Sequence, residues 1–139
     1  MAIQSVTPYL FFNGDAEKAI ALYEKALGAK TLNVMRFGDH PEACAEGADG
    51  KIMHAALQIG ASMVMISDVR PDMGITKEGN VSVSLEHSDV ESQATAFAAM
   101  AEGGNVQVPL HDAFWGGRFG VLTDAHGINW MFNCTLGTK

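Results

Sequence analysis

Residues 14–32, GDAEKAIALYEKALGAKTL, carry a pattern that returns 74 residues later in residues 88–108, SDVESQATAFAAMAEGGNVQV. The two stretches align without gaps over their first dozen residues, with Tyr23 opposite Phe97. Both place apolar residues at helical spacing and both are followed by glycine, so each predicts an amphipathic helix. A helix pattern that occurs twice indicates two related units in one chain.

The ends and faces of these two helices follow from local signals. We expect Asp15 to cap the first helix, and Ser88 and Glu91 to form a capping box at the second. The predicted buried stripe of the first helix comprises Ala16, Ala19, Ile20, Tyr23, Ala26 and Leu27. That of the second comprises Val90, Ala94, Phe97, Ala98 and Ala101.

Each predicted helix is preceded by one strand pattern and followed by three. The strands are predicted at 5–12, 31–37, 51–60 and 62–68, then at 80–87, 105–110, 118–124 and 128–133. The fold class is therefore α+β with the order β-α-β-β-β repeated. We expect a single domain, 1–139, built of module 1 at about residues 4–68, a linker at 69–79 and module 2 at about residues 80–135.

Side chains along a strand alternate between two faces, and a β-α-β-β-β unit covers only one of them with its helix. Two units are therefore expected to pair as open curved sheets around a shared concave cavity. The predicted cavity rows are polar and give candidate ligand contacts at Asn80, Ser82, Glu86, Asn129 and Asn133. His54 faces the same way and is the candidate general base, with Glu86 as the acidic partner that alternation offers.

The segment before residue 118 adds further candidates at the mouth of this cavity. Trp115 can stack on a flat or cationic ligand, and Arg118 can bind a carboxylate or phosphonate. His111 and Asp112 could form a displaced metal site with His54. Three phenylalanines are expected in the core, namely Phe11, Phe12 and Phe119.

Composition excludes several classes of protein. The net charge is −7 with only nine Lys and Arg, which argues against a nucleic-acid partner. No apolar run reaches the length of a membrane span and no cleavable leader pattern opens the sequence, so a cytoplasmic protein is expected.

Cys44 and Cys134 lack metal-type spacing and are expected to be free thiols. No Gly-rich loop follows a first strand, so a methyltransferase is not expected.

Three segments resemble one known family: PYLFFNGDAEKAIALYEKALGA, KIMHAALQIGASMVMISD and FWGGRFGVLTDAHGINWMFN. They are similar to PhnB-like proteins of the vicinal oxygen chelate superfamily, which includes glyoxalase I, bleomycin-resistance proteins, fosfomycin-resistance enzymes and extradiol dioxygenases. The resemblance covers nearly the whole chain. It implies the glyoxalase/bleomycin-resistance fold and a homodimer.

Enzymes of that superfamily typically hold one divalent metal on the concave face. The resemblance puts the ligand positions at Pro8, Met65, Asn80 and Met131, none of them a usual ligand of a hard divalent ion. No metal or other cofactor is therefore expected. The first hypothesis is a protein that binds a small polar metabolite without a metal. The alternative is a glyoxalase-like lyase or isomerase that uses a displaced metal or His54 as general base.

Overall fold

The structure is a computed structural model that describes residues 2–40, 49–69 and 80–137. The chain divides into two compact units, residues 1–76 and 77–139. The described elements of unit 1 are β1 (Tyr9–Phe12), α1 (Ala16–Leu27), β2 (Lys30–Arg36), a 3-10 turn (Phe37–Asp39), β3 (Ile52–Ile59) and β4 (Ser62–Asp68). Those of unit 2 are β5 (Val83–His87), α2 (Val90–Ala101), β6 (Asn105–Asp112), β7 (Gly117–Thr123) and β8 (Asn129–Thr135).

Both units build the same sheet. The strand order is β1-β4-β3-β2 in unit 1 and β5-β8-β7-β6 in unit 2, and neither four-stranded sheet closes on itself. The first and last strands of each unit pair in parallel, and the other neighbours pair antiparallel. The predicted α+β class and the repeated β-α-β-β-β order are confirmed. The predicted linker lies outside the described residues except for Val69.

Two strands start three or four residues later than predicted. β1 begins at Tyr9, directly after Pro8, whose ring removes the backbone donor that a ladder needs. β5 begins at Val83, and Val81, which lies within the predicted strand 80–87, is outside the observed strand and 75% exposed. Neither of the two described helices, each of 12 residues, is long and apolar enough to cross a membrane.

Unit 1 packs α1 against the face of its sheet that carries Leu10, Phe12, Leu57 and Ile66. From α1, the predicted stripe residues Ala16, Ala19, Ile20 and Tyr23 are buried, whereas Ala26 and Leu27 are half-buried. Tyr23 and the β1 residue Phe12 have no exposed surface. Burying a large apolar side chain stabilises a fold by about 1.5–3 kcal/mol. This row and the helix stripe therefore form the core of unit 1.

The start of α1 is held by a residue from another element. Asp15 occupies the N-cap position but makes no side-chain capping hydrogen bond, so its predicted role is wrong. The buried carboxylate of Asp68, at the end of β4, accepts hydrogen bonds from the backbone N–H groups of Gly14 and Ala16 at 2.9 Å and of Ile52 at 3.0 Å. One carboxylate thus ties α1, β3 and β4 together.

Asp68→Asn is expected to lower the free energy of unfolding by roughly 2–4 kcal/mol, because an amide cannot accept from all three buried donors and an unpaired buried donor costs about 1–3 kcal/mol. Urea denaturation measures the change. The matched control is Asp15→Asn, since asparagine suits an N-cap equally well and a change within about 0.5 kcal/mol is expected. Equal losses in both variants would contradict this role of Asp68.

The stripe of α2 that unit 2 buries shares only Phe97 with the predicted one. The buried residues are Gln93, Ala96, Phe97 and Met100, whereas Val90, Ala94 and Ala98 are exposed. The helix carries alanine on most of its faces, so the periodicity alone did not select the side that packs. Phe97 meets Phe132 edge to face at 5.0 Å, and Trp130, Phe132 and Leu122 complete the core with no exposed surface.

The cap of α2 also differs from the predicted box. Asp89, and not Ser88, is the N-cap, and its carboxylate accepts the backbone N–H of Ser92 at 2.7 Å. Hydrogen bonds from Ser92 lower the pKa of Asp89 below 3.8. Cys134 is a buried free thiol, as expected, and Cys44 lies outside the described residues.

His87, at the end of β5, pairs in register with Cys134 and stacks on Phe132 with ring centroids 5.6 Å apart. Its Nδ1 is buried and finds no hydrogen-bond partner within the described ranges. Burial lowers the pKa of His87 below 6.5, against smaller opposing effects of Asp89 and Glu86. Protonation therefore costs more in the folded chain than in the unfolded chain.

As a consequence, the free energy of unfolding should be unaffected by His87 above pH 6.5 and should fall as the pH drops below it, because the unfolded state then binds more protons. His87→Phe, which keeps the stack, is expected to flatten that fall, by no more than about 1.4 kcal/mol per pH unit. Urea denaturation between pH 5 and 8 measures it. The exposed His111→Phe is the control, and an identical pH profile in wild type and His87→Phe would contradict the assignment.

Candidate functional site

Each sheet has a second face, away from its helix, which we call its open face. Register and alternation define it in unit 1 by Tyr9, Phe11, His54, Ala56, Met65 and Ser67. In unit 2 the open face comprises Ser84, Glu86, Phe119, Val121, Met131 and Asn133. The predicted alternation along the last strand is confirmed, with Trp130 and Phe132 in the core.

Three of the predicted ligand residues meet on the open face of unit 2. Asn133 donates from Nδ2 to the carboxylate of Glu86, at 2.9 and 3.2 Å from its two oxygens. Its Oδ1 accepts a long hydrogen bond, 3.5 Å, from Nε1 of Trp115. Thr135 donates to the same carboxylate at 3.2 Å. Because a carboxylate only accepts and an indole N–H only donates, the two partners together set which way the Asn133 amide points.

Trp115 lies in a tight turn between β6 and β7. The N–H of Ala113 donates to the carbonyl of Gly117 at 2.8 Å, and Gly116 has a φ of +89°, which favours glycine. The turn exposes two aromatic rings, with Phe114 97% and Trp115 53% exposed. Trp115 contacts Phe114 and Phe119 edge to face, at 5.2 and 5.1 Å. Phe119 was predicted in the core, and its register places it on the open face instead.

Gly117 lies directly beneath this cluster. A Cβ on Gly117 would overlap Oδ1 of Asn133 and lie 2.8 Å from Nε1 of Trp115, so the indole and the amide approach each other only because no side chain intervenes. In the motif FWGG, Gly116 therefore allows the positive φ of the turn, and Gly117 allows the close approach of Trp115 and Asn133.

Gly117→Ala should separate the Trp115 indole from Asn133 and lower the free energy of unfolding by about 1 kcal/mol, the typical value of one hydrogen bond. The measurement is the indole N–H region of a ¹H–¹⁵N spectrum, where the two tryptophans give two signals. The signal of Trp115 should move and that of buried Trp130 should stay. Gly137→Ala, where an added Cβ meets nothing within 4 Å, is the matched control. An unmoved Trp115 signal in Gly117→Ala would contradict the contact.

Arg118 is not brought together with these residues. It pairs in register with Cys134 and therefore belongs to the helix-side row of β7. Its guanidinium donates to the carboxylate of Asp112 at 2.8 Å, and its backbone carbonyl accepts from Nε2 of Gln93 at 2.8 Å. The only arginine of unit 2 is thus paired away from the open face, and its predicted contact with an anionic ligand stays a prediction.

The remaining predicted residues of unit 2 lie nearer the start of β8 and before β5. Thr123 donates to Oδ1 of Asn129 at 2.7 Å, and Nδ2 of Asn129 reaches the carbonyl of Val81 at 3.5 Å. Asn80 and Ser82 are exposed and precede β5. Asn129 therefore links the residues before β5 to β8, and both ends of its amide are hydrogen-bonded within unit 2.

His54 lies on the open face of unit 1, as predicted, but with a different partner. Its Nδ1 is hydrogen-bonded to Oη of Tyr9 at 2.9 Å, and Tyr9 stacks on Phe11 at 4.8 Å. Phe11 was expected in the core and is 47% exposed. The expected partner Glu86 hydrogen-bonds Asn133 and Thr135 in its own unit. Alternation along β1, with Leu10 and Phe12 buried, was the signal that could have placed Tyr9 beside His54.

The residues at the positions that the resemblance assigns to the metal do not fit a hard divalent ion. Met65 and Met131 lie at matching places on the two open faces, opposite Tyr9 and Ser84, and thioethers are soft ligands. Across residues 2–40, 49–69 and 80–137, no group of three His, Cys, Asp or Glu side chains could hold a metal. His111 shares the row of Phe119 and Asp112 that of Arg118, so they point to opposite faces and do not form the displaced site considered above.

Comparison with known proteins identifies the class. Residues 5–132 match the Glyoxalase/Bleomycin resistance protein/Dioxygenase superfamily, and the chain belongs to it. Protein YjdN of Escherichia coli (strain K12) is 32% identical over an alignment of 138 residues. The alignment covers 92% of this chain and 93% of YjdN. The crystal structure of protein PA1353 from Pseudomonas aeruginosa superposes with a TM-score of 0.88 at 38% identity, over 97% of this chain and 100% of that one. The PhnB protein from Bacillus cereus shares the fold, with a TM-score of 0.78 at 24% identity, 95% of this chain and 100% of its own.

Proposed function

We propose that the protein binds a small polar metabolite on its open faces without the divalent metal that enzymes of the superfamily typically hold. The observation that carries this proposal is the Glu86–Asn133–Trp115 cluster. It holds a polar amide in a set orientation beside an exposed indole, and a ligand needs a few such placed polar groups next to apolar surface. The expected pairing of the two units around a shared cavity stays a prediction.

The donor set at the family's metal positions supports the metal-free part of this proposal. Pro8 offers no side-chain ligand, Met65 and Met131 offer thioethers, and Asn80 offers one weak amide oxygen. A site with these four residues would bind Mn²⁺, Co²⁺, Ni²⁺ or Zn²⁺ poorly. Recognition would then rest on hydrogen bonds and aromatic contacts.

An alternative function is a lyase or isomerase that uses His54 as general base. The hydrogen bond between Tyr9 and His54 favours it, because an oriented imidazole is what a general base requires. The aromatic pair of Tyr9 and Phe11 beside it would supply a surface for a substrate. The two functions differ in what they require of His54.

Assembly and location follow the family resemblance and the sequence, and both stay predictions. A homodimer is expected, and light scattering of the eluted peak in size-exclusion chromatography measures the particle mass. A cytoplasmic location is expected, and fractionation of cells that express the untagged chain tests it.

The test of the proposed function is a thermal melt of protein purified without affinity tag or chelator, after elemental analysis. The melt is repeated with Mn²⁺, Co²⁺, Ni²⁺ and Zn²⁺ and with a panel of small amines, carboxylates, phosphonates and polyols. A compound that binds only the folded chain stabilises it by about 2.7 kcal/mol at a hundred times its Kd, which is a clear melting shift. We expect organic compounds and not metals to produce it, and Trp115→Ala to abolish it.

Two results would overturn the proposal. Near-stoichiometric metal that is lost in His54→Gln would favour the enzyme instead. A panel in which no compound shifts either the melt or the Trp115 indole signal would remove the evidence for a ligand. Met63→Leu, on an exposed side chain of β4, serves as a control variant for stability.

A further inference from the structure

The charges of unit 2 are strongly unequal. Its described residues, 80–137, contain six carboxylates and one guanidinium. Asp89, Glu91 and Glu102 belong to the ends of α2, and Asp124 lies in the turn before β8. Asp112 pairs with Arg118 on the helix-side row. Glu86 is therefore the carboxylate that the strand register places on the open face.

Within the described part of the chain, Glu86 has no cation as a partner. Its hydrogen bonds come from Asn133 and Thr135, two neutral donors, and the residue is exposed. A carboxylate has about four acceptor positions, so capacity remains for a further donor. A negative charge held by neutral donors at the edge of an apolar surface attracts a positive ligand.

Exposed aromatic rings lie beside this carboxylate. Trp115 and Glu86 bind the two ends of one amide, that of Asn133, so the indole and the carboxylate are close neighbours. Phe114 and Phe119 flank the indole edge to face. Tryptophan is the strongest aromatic partner of a cation within about 6 Å of its ring, and a carboxylate nearby reinforces the attraction.

We infer that the ligand of this face is a small organic cation, a protonated or quaternary amine attached to a flat apolar group. Its charge lies between Glu86 and the Trp115 ring, and its apolar part covers Trp115 and Phe114. This inference rests on the proposed function and specifies its ligand class. It reverses the sign of the anionic ligand that Arg118 had suggested, because Arg118 is paired with Asp112 in the other row.

The test is a titration of the ¹⁵N-labelled full chain at pH 7.5, followed by the indole signals of Trp115 and Trp130. Trp115→Phe assigns them. Three probes share one ring and differ in charge: phenyltrimethylammonium, benzyl alcohol and phenylphosphonate. We expect phenyltrimethylammonium to shift the Trp115 signal with a Kd at least tenfold lower than that of benzyl alcohol, and phenylphosphonate to bind most weakly. Added salt should raise the Kd of phenyltrimethylammonium and leave that of benzyl alcohol unchanged, because salt screens the attraction between charges.

The variants isolate the charge. Glu86→Gln keeps the size and an oxygen acceptor for Asn133, and should raise the Kd of phenyltrimethylammonium about tenfold. Glu102→Gln removes the same charge at the end of α2 and should leave that Kd unchanged. An unmoved Trp130 signal shows that the core of each variant is intact.

The outcomes separate this inference from the proposed function. If benzyl alcohol or phenylphosphonate shifts the Trp115 signal with equal or higher affinity, or if both glutamate variants behave alike, the cation inference is overturned and the proposed function stands. If none of the probes and none of the metabolite panel shifts it, both fall. A Trp115 signal that instead moves with protein concentration would show that a second copy of the chain covers the face, and would also overturn the inference.

Discussion

The alternation of side chains along β8 is the constraint on which the rest of unit 2 depends. Trp130, Phe132 and Cys134 point under α2, which forces Asn129, Met131 and Asn133 to the opposite face. A shift of the register by one residue would expose the tryptophan and bury the asparagines. The core and the candidate site therefore lie on the two sides of one strand. Burial of the core side chains fixes the direction in which the side chains of the candidate site point.

Polar side chains in this protein serve two different purposes. The carboxylates of Asp68 and Asp124 are buried and fully engaged: Asp124 accepts the N–H groups of His126 and Ile128 and the indole Nε1 of Trp130, at 2.8, 3.1 and 2.8 Å. They hold a helix start and a turn in place. Glu86 is exposed, accepts from two neutral donors and lies on the open face beside Asn133, to which Trp115 donates. Asp68 and Asp124 stabilise the fold, whereas Glu86 keeps unused acceptor positions at the surface.

The two units share a fold but have different open faces. At matching register positions, unit 1 has Phe11 and His54 where unit 2 has Glu86 and Phe119. In unit 1, Tyr9 is hydrogen-bonded to the imidazole of His54 and stacks on Phe11. In unit 2, the amide of Asn133 is hydrogen-bonded to both Glu86 and Trp115. Helix packing requires the same apolar row in both units and places no such demand on the open face, so the two faces are free to differ.

The sequence alone determined the order of the elements, the strand alternation and the presence of His54, Glu86, Trp115, Asn129 and Asn133 in candidate positions. These properties depend on local spacing, which a single chain displays directly. The tertiary structure decided which of these residues meet: Asn133 with Glu86 and Trp115, His54 with Tyr9, and Arg118 with Asp112 on the other face. It also assigned the cap of α1 to Asp68, 52 residues from Ala16. Such contacts depend on strand order and register between distant segments, and local spacing carries no information about either.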